Sequence, residues 1–250
     1  MSYADLHCHI LPGLDDGART LQQALSFARR LDAEGVRDVA TTPHIKRTHH
    51  RFDLAALAPL RASLQRAFHD EGLDVTLHPG GELAHEDALT LEPEELELIA
   101  QGPAHAPWLL LECPFEGLDD IFDAAAARLT GLGYGLLLAH PERAESDTEL
   151  LQPHLEQGAL LQVNVSSLLG HHGQRAQDLA EEFVRTGRAY CLASDTHPGT
   201  REATLPQVLP ALSRLRVSEI QAARLTRSNP RFLLREGVTQ LALERANTAC

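Results

Sequence analysis

Asp5-Leu-His-Cys-His-Ile-Leu-Pro-Gly-Leu-Asp-Asp-Gly17, close to the start of the chain, brings together two histidines and two adjacent acids. If the residues before Pro12 form a β-strand, His7 and His9 point to the same face, because side chains alternate sides along a strand. The Pro12-Gly13 pair ends such a strand, and Asp15-Asp16-Gly17 is typical of a turn. The acids are therefore predicted to lie beside the carboxyl end of the strand. Two imidazoles on one face can bind one metal ion, but a single His-x-His pair is weak evidence, so the rest of the chain decides.

The composition predicts one large globular domain. With 250 residues, of which 43% are hydrophobic, the chain can bury a single core, and we expect residues 1–250 to form one domain. The 22 Lys and Arg residues against 35 Asp and Glu give a net charge of −13, which argues against binding to nucleic acid or to an anionic membrane. No apolar segment has the length of a signal-peptide core or a membrane span, so we expect a soluble, cytoplasmic protein without membrane insertion.

The four cysteines show no metal-binding or disulfide pattern. They have no Cys-x-x-Cys spacing. Three of them, Cys8, Cys113 and Cys191, lie in apolar, strand-like segments, and the fourth is Cys250. This distribution indicates reduced, buried thiols.

Short apolar segments alternate with helical patterns along the whole chain. The predicted strands cover residues 4–9, 36–42, 75–78, 108–112, 135–140, 160–165 and 189–197. Nearly all-apolar strands separated by helices are typical of a parallel sheet covered on both faces. Their number favours a closed α/β barrel over an open sheet. The sequence lacks the G-x-G-x-x-G and Walker A motifs, so a nucleotide-binding fold has little support.

Six of these seven strands end in a side chain that can bind a metal ion. The candidate ligands are His7, His9, His44, Glu82, Glu112, His140, Asp195 and His197, with Asp16 on the first loop. In a barrel the carboxyl ends of the strands converge on the face that holds the active site. Imidazole and carboxylate ligands suit zinc, manganese or iron, and these residues exceed what one tetrahedral ion needs. We therefore predict two or three divalent ions, although each residue alone could be an ordinary strand-end histidine or acid.

The other histidines have no such placement at a strand end. We expect them to lie on the surface or in loops: His49, His50, His69, His78, His85, His105, His154, His171 and His172.

Six motifs, in this order, resemble those of the PHP (polymerase and histidinol phosphatase) superfamily. They are His7-Cys-His9, Thr42-Pro-His44, Gly80-Gly-Glu82, Leu111-Glu-Cys-Pro114, Ala139-His-Pro-Glu-Arg143 and Ala193-Ser-Asp-Thr-His197. The segment from Ile10 to Gly17 and the Asn229-Pro-x-x-Leu ending are similar to its bacterial protein-tyrosine-phosphatase branch, which accompanies tyrosine autokinases of capsule and exopolysaccharide synthesis. The resemblance extends from Asp5 to about Leu234. It implies a distorted (β/α)7 TIM-like barrel with a trinuclear, usually manganese-type site, while iron, zinc, cobalt or magnesium remain alternatives.

Carried over to this chain, the resemblance also implies how the ligands are shared. One ion would lie on His7, His9, Glu82 and Asp195, a second on Glu82, Glu112 and His140, and a third on Asp16, His44 and His197. Arg143 would bind the substrate phosphate, and Arg201 is the candidate for a second phosphate-binding arginine, on a loop about one residue shorter than the resemblance leads us to expect. Asp16 or His44 could act as a general acid if metal binding leaves it free.

The expected activity is metal-dependent hydrolysis of phosphotyrosine on a protein, with a bacterial tyrosine autokinase as substrate. Divalent ions and two arginines make a locally cationic site, which favours a single phosphate group on an acidic protein. The run Lys46-Arg-Thr-His-His-Arg51 could contact acidic residues beside a phosphotyrosine, or it could be a solvated loop. Two alternatives stay open: a small-molecule phosphatase, for example for histidinol phosphate, and a non-catalytic metal-binding regulator that docks on a kinase of polysaccharide export.

Overall fold

Parallel strands alternate with helices through the chain, as the apolar pattern predicts. A computed structural model describes residues 2–145 and 148–239, so Cys250 lies outside the described residues. The strands are β1 (Tyr3–Cys8), β2 (Val36–Thr41), β3 (His44–Ile45), β4 (Thr76–His78), β5 (Glu82–Leu83), β6 (Trp108–Glu112), β7 (Gly135–Ala139), β8 (Leu160–Asn164) and β9 (Ala189–Ala193). The α-helices are α1 (Leu21–Ala33), α2 (Leu57–Asp70), α3 (Pro93–Ile99), α4 (Asp120–Gly131), α5 (Gln152–Glu156), α6 (Val165–Leu168), α7 (Gln174–Arg185), α8 (Leu209–Arg214), α9 (Glu219–Ala223) and α10 (Asn229–Glu236).

Two parallel sheets together form the wall of one distorted barrel. One sheet has the order β1-β2-β4, and the other has the order β3-β5-β6-β7-β8-β9. Residues 42–43 separate β2 from β3, and residues 79–81 separate β4 from β5, so each pair is one barrel strand with an interruption. The ring closes next to β1, where Asp195 N–H donates to His7 O and His9 N–H donates to Thr196 O, both over 2.9 Å. With each interrupted pair counted once, the described residues give seven strand positions, and the predicted (β/α)7 TIM-like barrel is confirmed.

An apolar cluster fills the barrel beneath the carboxyl ends of the strands. Trp108 and Leu110 lie on the same face of β6 as Glu112, because alternate residues of a strand share a face. Both pack in a buried cluster with Leu137 and with Leu233 of α10, and Trp108 Nε1 donates to Leu233 O over 3.0 Å. This end of the barrel is therefore packed with side chains, which leaves the opposite end for the polar residues.

The prediction that the remaining histidines are surface or loop residues is wrong for two of them. His154 is buried in α5, and His78 lies within β4, where its Nε2 is 3.0 Å from Asp38 Oδ1. His85 lies in a loop, as predicted, but it is buried. His154 Nε2 lies 3.0 Å from Asp123 Oδ1 on the neighbouring helix. The His78 and His154 rings each lie beside a carboxylate that is distant in sequence. Such a partner offsets the cost of removing the ring from water, and local spacing in the sequence does not predict it.

The structure shows the environment of three cysteines and the apolar character of the helices. Cys8, Cys113 and Cys191 are buried free thiols, as predicted. Within residues 2–145 and 148–239, no helix has the length and apolar character needed to cross a membrane.

Candidate active site

The nine predicted ligands lie together at the carboxyl end of the barrel strands. Their nitrogen and oxygen atoms form three overlapping groups, in each of which the ligand atoms lie within 4.8 Å of one another. The groups are His7 with His9, Glu82 and Asp195; His9 with Asp16, His44 and His197; and His44 with Glu82 and Glu112. His140, the ninth residue, places Nε2 2.7 Å from Glu82 Oε1. His9, His44 and Glu82 each belong to two groups, so the three groups are continuous. Together with His140, they form what we call the metal-type cluster.

The deepest group is completely enclosed by the barrel. His7 and His9 place their Nε2 atoms 3.1 Å apart, and these atoms lie 3.2 and 3.3 Å from Glu82 Oε2. Asp195 Oδ1 lies 3.6 Å from His7 Nε2 and 3.4 Å from His9 Nε2. Four buried donor atoms therefore surround one point.

The contacts of the Nδ1 atoms of His7 and His9 indicate that their Nε2 atoms are suited to bind a cation. His7 Nδ1 lies 3.0 Å from Gln162 Oε1, and His9 Nδ1 lies 2.7 Å from Asp15 Oδ2. In a neutral imidazole the nitrogen that faces an acceptor carries the hydrogen, so both Nε2 atoms present lone pairs to each other and to carboxylate oxygens. A bound cation removes this repulsion, and a ligand histidine whose second nitrogen donates to an acceptor is the usual arrangement at protein metal sites.

The group around Glu82 differs in one member from the expectation. The prediction pairs Glu82 and Glu112 with His140, whereas the structure places His44 with the two acids. His44 Nδ1 lies 2.9 Å from Glu82 Oε2, while His140 contacts the other oxygen, Oε1. Glu82 Oε2 is buried and has no hydrogen-bond partner among the described residues, although three imidazole nitrogens lie within 3.3 Å of it. An oxygen placed in this way is suited to bridge two ions.

The outermost group opens to solvent through Asp16. Its Oδ1 lies 3.1 Å from His197 Nε2 and 3.4 Å from His44 Nε2, while the side chain is 54% exposed. The hydrogen bond with His197 holds the pKa of Asp16 well below its usual range. Asp16 therefore marks the mouth of the cluster, and Glu82 marks its floor.

The titration behaviour of the cluster also fits a cation site. Without a bound metal ion, burial alone would raise the pKa of Glu82, but His7 and His44 in their protonated forms outweigh burial and lower it well below the usual value. Burial disfavours the charged form of His9, yet Asp15 and the other carboxylates raise its pKa well above 6.5. Burial, together with the charge of Glu82, raises the pKa of Glu112 to about 7. The carboxylates thus demand positive charge, which divalent ions supply.

The backbone adopts unusual conformations at two of the ligands. His140 and Asp195 have φ angles of 36° and 49°, in the left-handed region that residues other than glycine rarely occupy. A Cβ on Gly17 would clash with the carbonyl oxygen of His9, so only glycine lets the Asp15-Asp16 turn fold back onto β1. Strain of this kind is typical of functional sites, where the surrounding structure holds the residue in place.

Two arginines lie beside the cluster. Arg143 Nη1 donates to Asp195 Oδ2 over 2.9 Å, and the guanidinium carbon stacks 4.5 Å from the centre of the Phe115 ring. Arg201 Nη2 lies 2.9 and 3.0 Å from the two ring nitrogens of His197. Backbone hydrogen bonds in both directions between His197 and Arg201, each 2.9 Å, fold residues 197–201 into a tight loop that brings Arg201 back beside His197.

Several residues that contact the predicted ligands or lie beside the two arginines were not predicted to belong to the site. Asp15 supports His9, and Gln162 supports His7. The His50 ring stacks on the His44 ring, with 5.7 Å between the ring centres. His172 Nε2 lies 2.8 Å from Ser166 Oγ, and burial, together with the charges of Arg143 and Arg201, lowers the pKa of His172 to about 4. The adjacent acids of the Asp-Asp-Gly turn were a visible signal for Asp15. No sequence signal marks the others, because each depends on which strands and loops become neighbours.

Comparisons with known proteins agree with this geometry. The family described as "Capsular polysaccharide synthesis, CpsB/CapC" matches residues 3–235. The chain is 28% identical over 196 residues to the putative tyrosine-protein phosphatase CapC of Staphylococcus aureus and, equally, to the tyrosine-protein phosphatase YwqE of Bacillus subtilis, covering 77% of this chain and 76% of each relative.

Solved structures give the same picture. A chain from the crystal structures of YwqE from Bacillus subtilis and CpsB from Streptococcus pneumoniae, described as unique metal-dependent tyrosine phosphatases, matches with a TM-score of 0.80 and 26% identity over 94% of this chain and 95% of that chain. The inactive dihydroorotase-like domain of a Chaetomium thermophilum multifunctional protein shares the fold alone, with a TM-score of 0.54 and 11% identity over 93% of this chain and 79% of that chain. The motifs, the barrel and the match across residues 3–235 together establish that this chain belongs to the CpsB/CapC family of capsular polysaccharide synthesis.

Proposed function

We propose that this protein is a metal-dependent phosphomonoesterase that hydrolyses phosphotyrosine on proteins. The observation that carries the proposal is the contact between Arg143, a guanidinium suited to bind phosphate, and Asp195, a carboxylate of the metal-type cluster. The relatives described as tyrosine phosphatases support phosphotyrosine over a small-molecule substrate. In this proposal the nine predicted ligands hold two or three divalent ions, with manganese as the preferred metal.

The residues of the chain would share the chemistry as follows. Bound divalent ions would supply Lewis acidity, which activates water as a nucleophile and neutralises charge on the phosphoryl oxygens. Arg143 and Arg201 would orient the phosphate from the side opposite the ions and stabilise the charge that builds up on its oxygens. Because the low pKa of Asp16 leaves no proton to donate near neutral pH, we assign Asp16 to metal binding alone. A phenolate leaving group, with a pKa of about 10, needs little help from a general acid such as His44.

Features of the rim support an aromatic leaving group on a polypeptide. Phe115 is 43% exposed, the Arg143 guanidinium stacks on its ring, and the centre of the His140 ring lies 5.9 Å from its centre. A phosphate held by Arg143 would bring the substrate ring close to Phe115, and two aromatic rings in contact attract each other. On the other side, an open cleft of about 570 Å³ is lined by residues that include His50, Arg51 and Phe52 and leaves room for residues beside the phosphotyrosine.

The proposed partner is a bacterial tyrosine autokinase of polysaccharide synthesis. The capsular polysaccharide description of the family supports this partner. In this proposal the protein acts on the autokinase in the cytoplasm. We further propose that residues 1–250 act as one catalytic domain.

A substrate panel tests the proposed function. The protein is loaded with Mn²⁺, and kcat/KM is measured for a phosphotyrosine peptide, a phosphoserine peptide and histidinol phosphate. We expect the phosphotyrosine peptide to react fastest, because phenolate is a better leaving group than an alkoxide. If histidinol phosphate exceeds the phosphotyrosine peptide by about tenfold or more, the small-molecule reading replaces this one. If the protein binds metal but hydrolyses none of the three, it acts as a regulator.

A further inference from the structure

A chain of buried amides connects two of the candidate ligands behind the metal-type cluster. Gln162 and Asn164 lie on the same face of β8, because they are two residues apart in a strand. Gln162 Oε1 lies 3.0 Å from His7 Nδ1, Gln162 Nε2 donates to Asn164 Oδ1 over 2.8 Å, and Asn164 Nδ2 donates to Asp195 Oδ2 over 2.7 Å. His7, Gln162 and Asn164 are completely buried and Asp195 is nearly so, which leaves little room for water to replace any of these contacts.

The carboxylate at one end fixes the direction of every hydrogen bond in the chain. An ionised carboxylate only accepts hydrogen bonds, so the NH₂ group of Asn164 must face Asp195. The carbonyl oxygen of Asn164 then faces Gln162 and accepts from its NH₂ group. The carbonyl oxygen of Gln162 is left to face His7 Nδ1, which must therefore carry the ring hydrogen. Three consecutive donations run in one direction, from His7 to Asp195.

This direction has a consequence at each end. At His7 the hydrogen on Nδ1 leaves the Nε2 lone pair free, and Nε2 is the atom 3.1 Å from His9 Nε2 in the deepest group. At Asp195, Oδ2 is occupied by Asn164 and by Arg143, so Oδ1 is the oxygen that remains for the rings, 3.4 Å from His9 Nε2. One chain thus selects the tautomer of one ligand and the ligating oxygen of another.

We propose that Gln162 and Asn164 are positioning residues that prepare His7 and Asp195 to bind the same divalent ion. This inference rests on the proposed metal site, and it assigns to β8, which ends in no predicted ligand, a role in that site. Replacing a residue that hydrogen-bonds to a metal ligand typically weakens metal binding about tenfold to a hundredfold.

Titration with Co²⁺ tests the proposal without using turnover. The dissociation constant and the visible absorption spectrum of bound Co²⁺ are measured for the wild type, Gln162→Met, Asn164→Ala and the double variant. We expect each single variant to bind the tightest Co²⁺ ion about tenfold to a hundredfold more weakly and to shift the spectrum. Because the two amides act in series, the double variant should be little weaker than either single variant, which independent packing defects would not produce.

Matched controls separate this effect from general destabilisation. Gln177→Met removes a glutamine that donates to Leu168 O outside the barrel, and Asn229→Ala removes a buried asparagine that donates to Tyr190 O. Both should keep the wild-type dissociation constant for Co²⁺. Where Asn164→Ala does not fold, Asn164→Asp keeps the shape and places a second carboxylate against Asp195, and it should also weaken Co²⁺ binding at least tenfold.

The outcomes distinguish this inference from the proposed function. If the wild type binds Co²⁺ and the Gln162 and Asn164 variants bind it with unchanged affinity and spectrum, the positioning role is refuted while the metal site stands. If the wild type itself binds no Co²⁺, the proposed metal site fails and the inference fails with it.

Discussion

Arg143 and Asp195 share a hydrogen bond of 2.9 Å, so the candidate phosphate-binding guanidinium and a candidate metal ligand meet at one carboxylate oxygen. This contact places Arg143 at the edge of the cluster with its side chain only 16% exposed. The stacked Phe115 ring and the carboxylate together hold the guanidinium in a fixed orientation. Arg143 is therefore positioned to contact a substrate phosphate bound at the metal-type cluster.

The first prediction concerns this arginine. Arg143→Ala should lower kcat/KM for a phosphotyrosine peptide roughly a hundredfold, a loss of about 3 kcal/mol of transition-state stabilisation, because two charge-assisted hydrogen bonds disappear. Arg143→Lys should recover little of this activity, since an ammonium group cannot form the bidentate contact. Metal content, measured by elemental analysis, should stay at the wild-type value. An unchanged kcat/KM would reject the role of Arg143.

Arg227 offers a matched control at the other end of the barrel. Its guanidinium also stacks on an aromatic ring, 4.3 Å from the centre of Tyr3, and it donates to the Tyr3 hydroxyl group. Arg227→Lys should therefore leave kcat/KM unchanged. The same measurement on Arg201→Ala shows whether the short loop after His197 delivers a second phosphate-binding residue.

The second prediction concerns Glu82 as a bridge between ions. Its two oxygens lie within 3.3 Å of imidazole nitrogens of four histidines: His7, His9, His44 and His140. Glu82→Gln removes the charge that balances two ions, so the protein should lose at least one equivalent of bound Mn²⁺ and its turnover. A Glu82→Gln protein with full metal content and full turnover would contradict the bridging role.

The barrel and the ligands were predictable because both follow from local rules. Apolar strands between helices indicate a parallel barrel, and side chains at strand ends such as His7, His9 and Glu112 must then converge. The sequence did not reveal the two-residue strands β3 and β5, because Pro43 and the Pro79-Gly-Gly81 segment read as breaks.

The supporting residues could not be predicted, because their roles depend on tertiary neighbours. Gln162 on β8 contacts His7 on β1, two strands away around the ring, and nothing in the sequence around Gln162 indicates this contact. The left-handed backbone at Asp195 is likewise not predicted by any local sequence pattern. The grouping of His44, instead of the expected His140, with Glu82 and Glu112 also depends on tertiary neighbours.

The third prediction concerns Asp15, which supports His9. Asp15 Oδ2 lies 2.7 Å from His9 Nδ1 and accepts from the backbone N–H of His44 over 2.9 Å, and the pKa of this buried carboxyl is about 2, since burial is outweighed by the charge of His9. Asp15→Asn should weaken Mn²⁺ binding about tenfold to a hundredfold by removing the charge that supports the ligand ring.

Asp119→Asn is the control for this substitution. Asp119 also accepts a backbone hydrogen bond, from Phe122 N–H over 2.8 Å, but it caps α4. Isothermal titration should find wild-type Mn²⁺ affinity in Asp119→Asn. Equal affinities in both variants would show that Asp15 does not act through His9.

The fourth prediction concerns the thiols. Burial raises the pKa of Cys8, Cys113 and Cys191 above the ordinary thiol value, so none of them presents a reactive thiolate. In a Cys250→Ser background, iodoacetamide should leave phosphotyrosine hydrolysis intact, whereas a chelator should abolish it. Loss of turnover on alkylation, together with resistance to chelation, would point to a cysteine mechanism.

The most direct test of the account is a metal titration of turnover. Metal-free protein is mixed with increasing equivalents of Mn²⁺, and both bound metal and phosphate released from a phosphotyrosine peptide are measured at each step. We predict no release without metal and a rise that saturates when two to three equivalents are bound, because the three donor groups share their ligands. Full release by metal-free protein, or saturated binding without any release, would contradict the account.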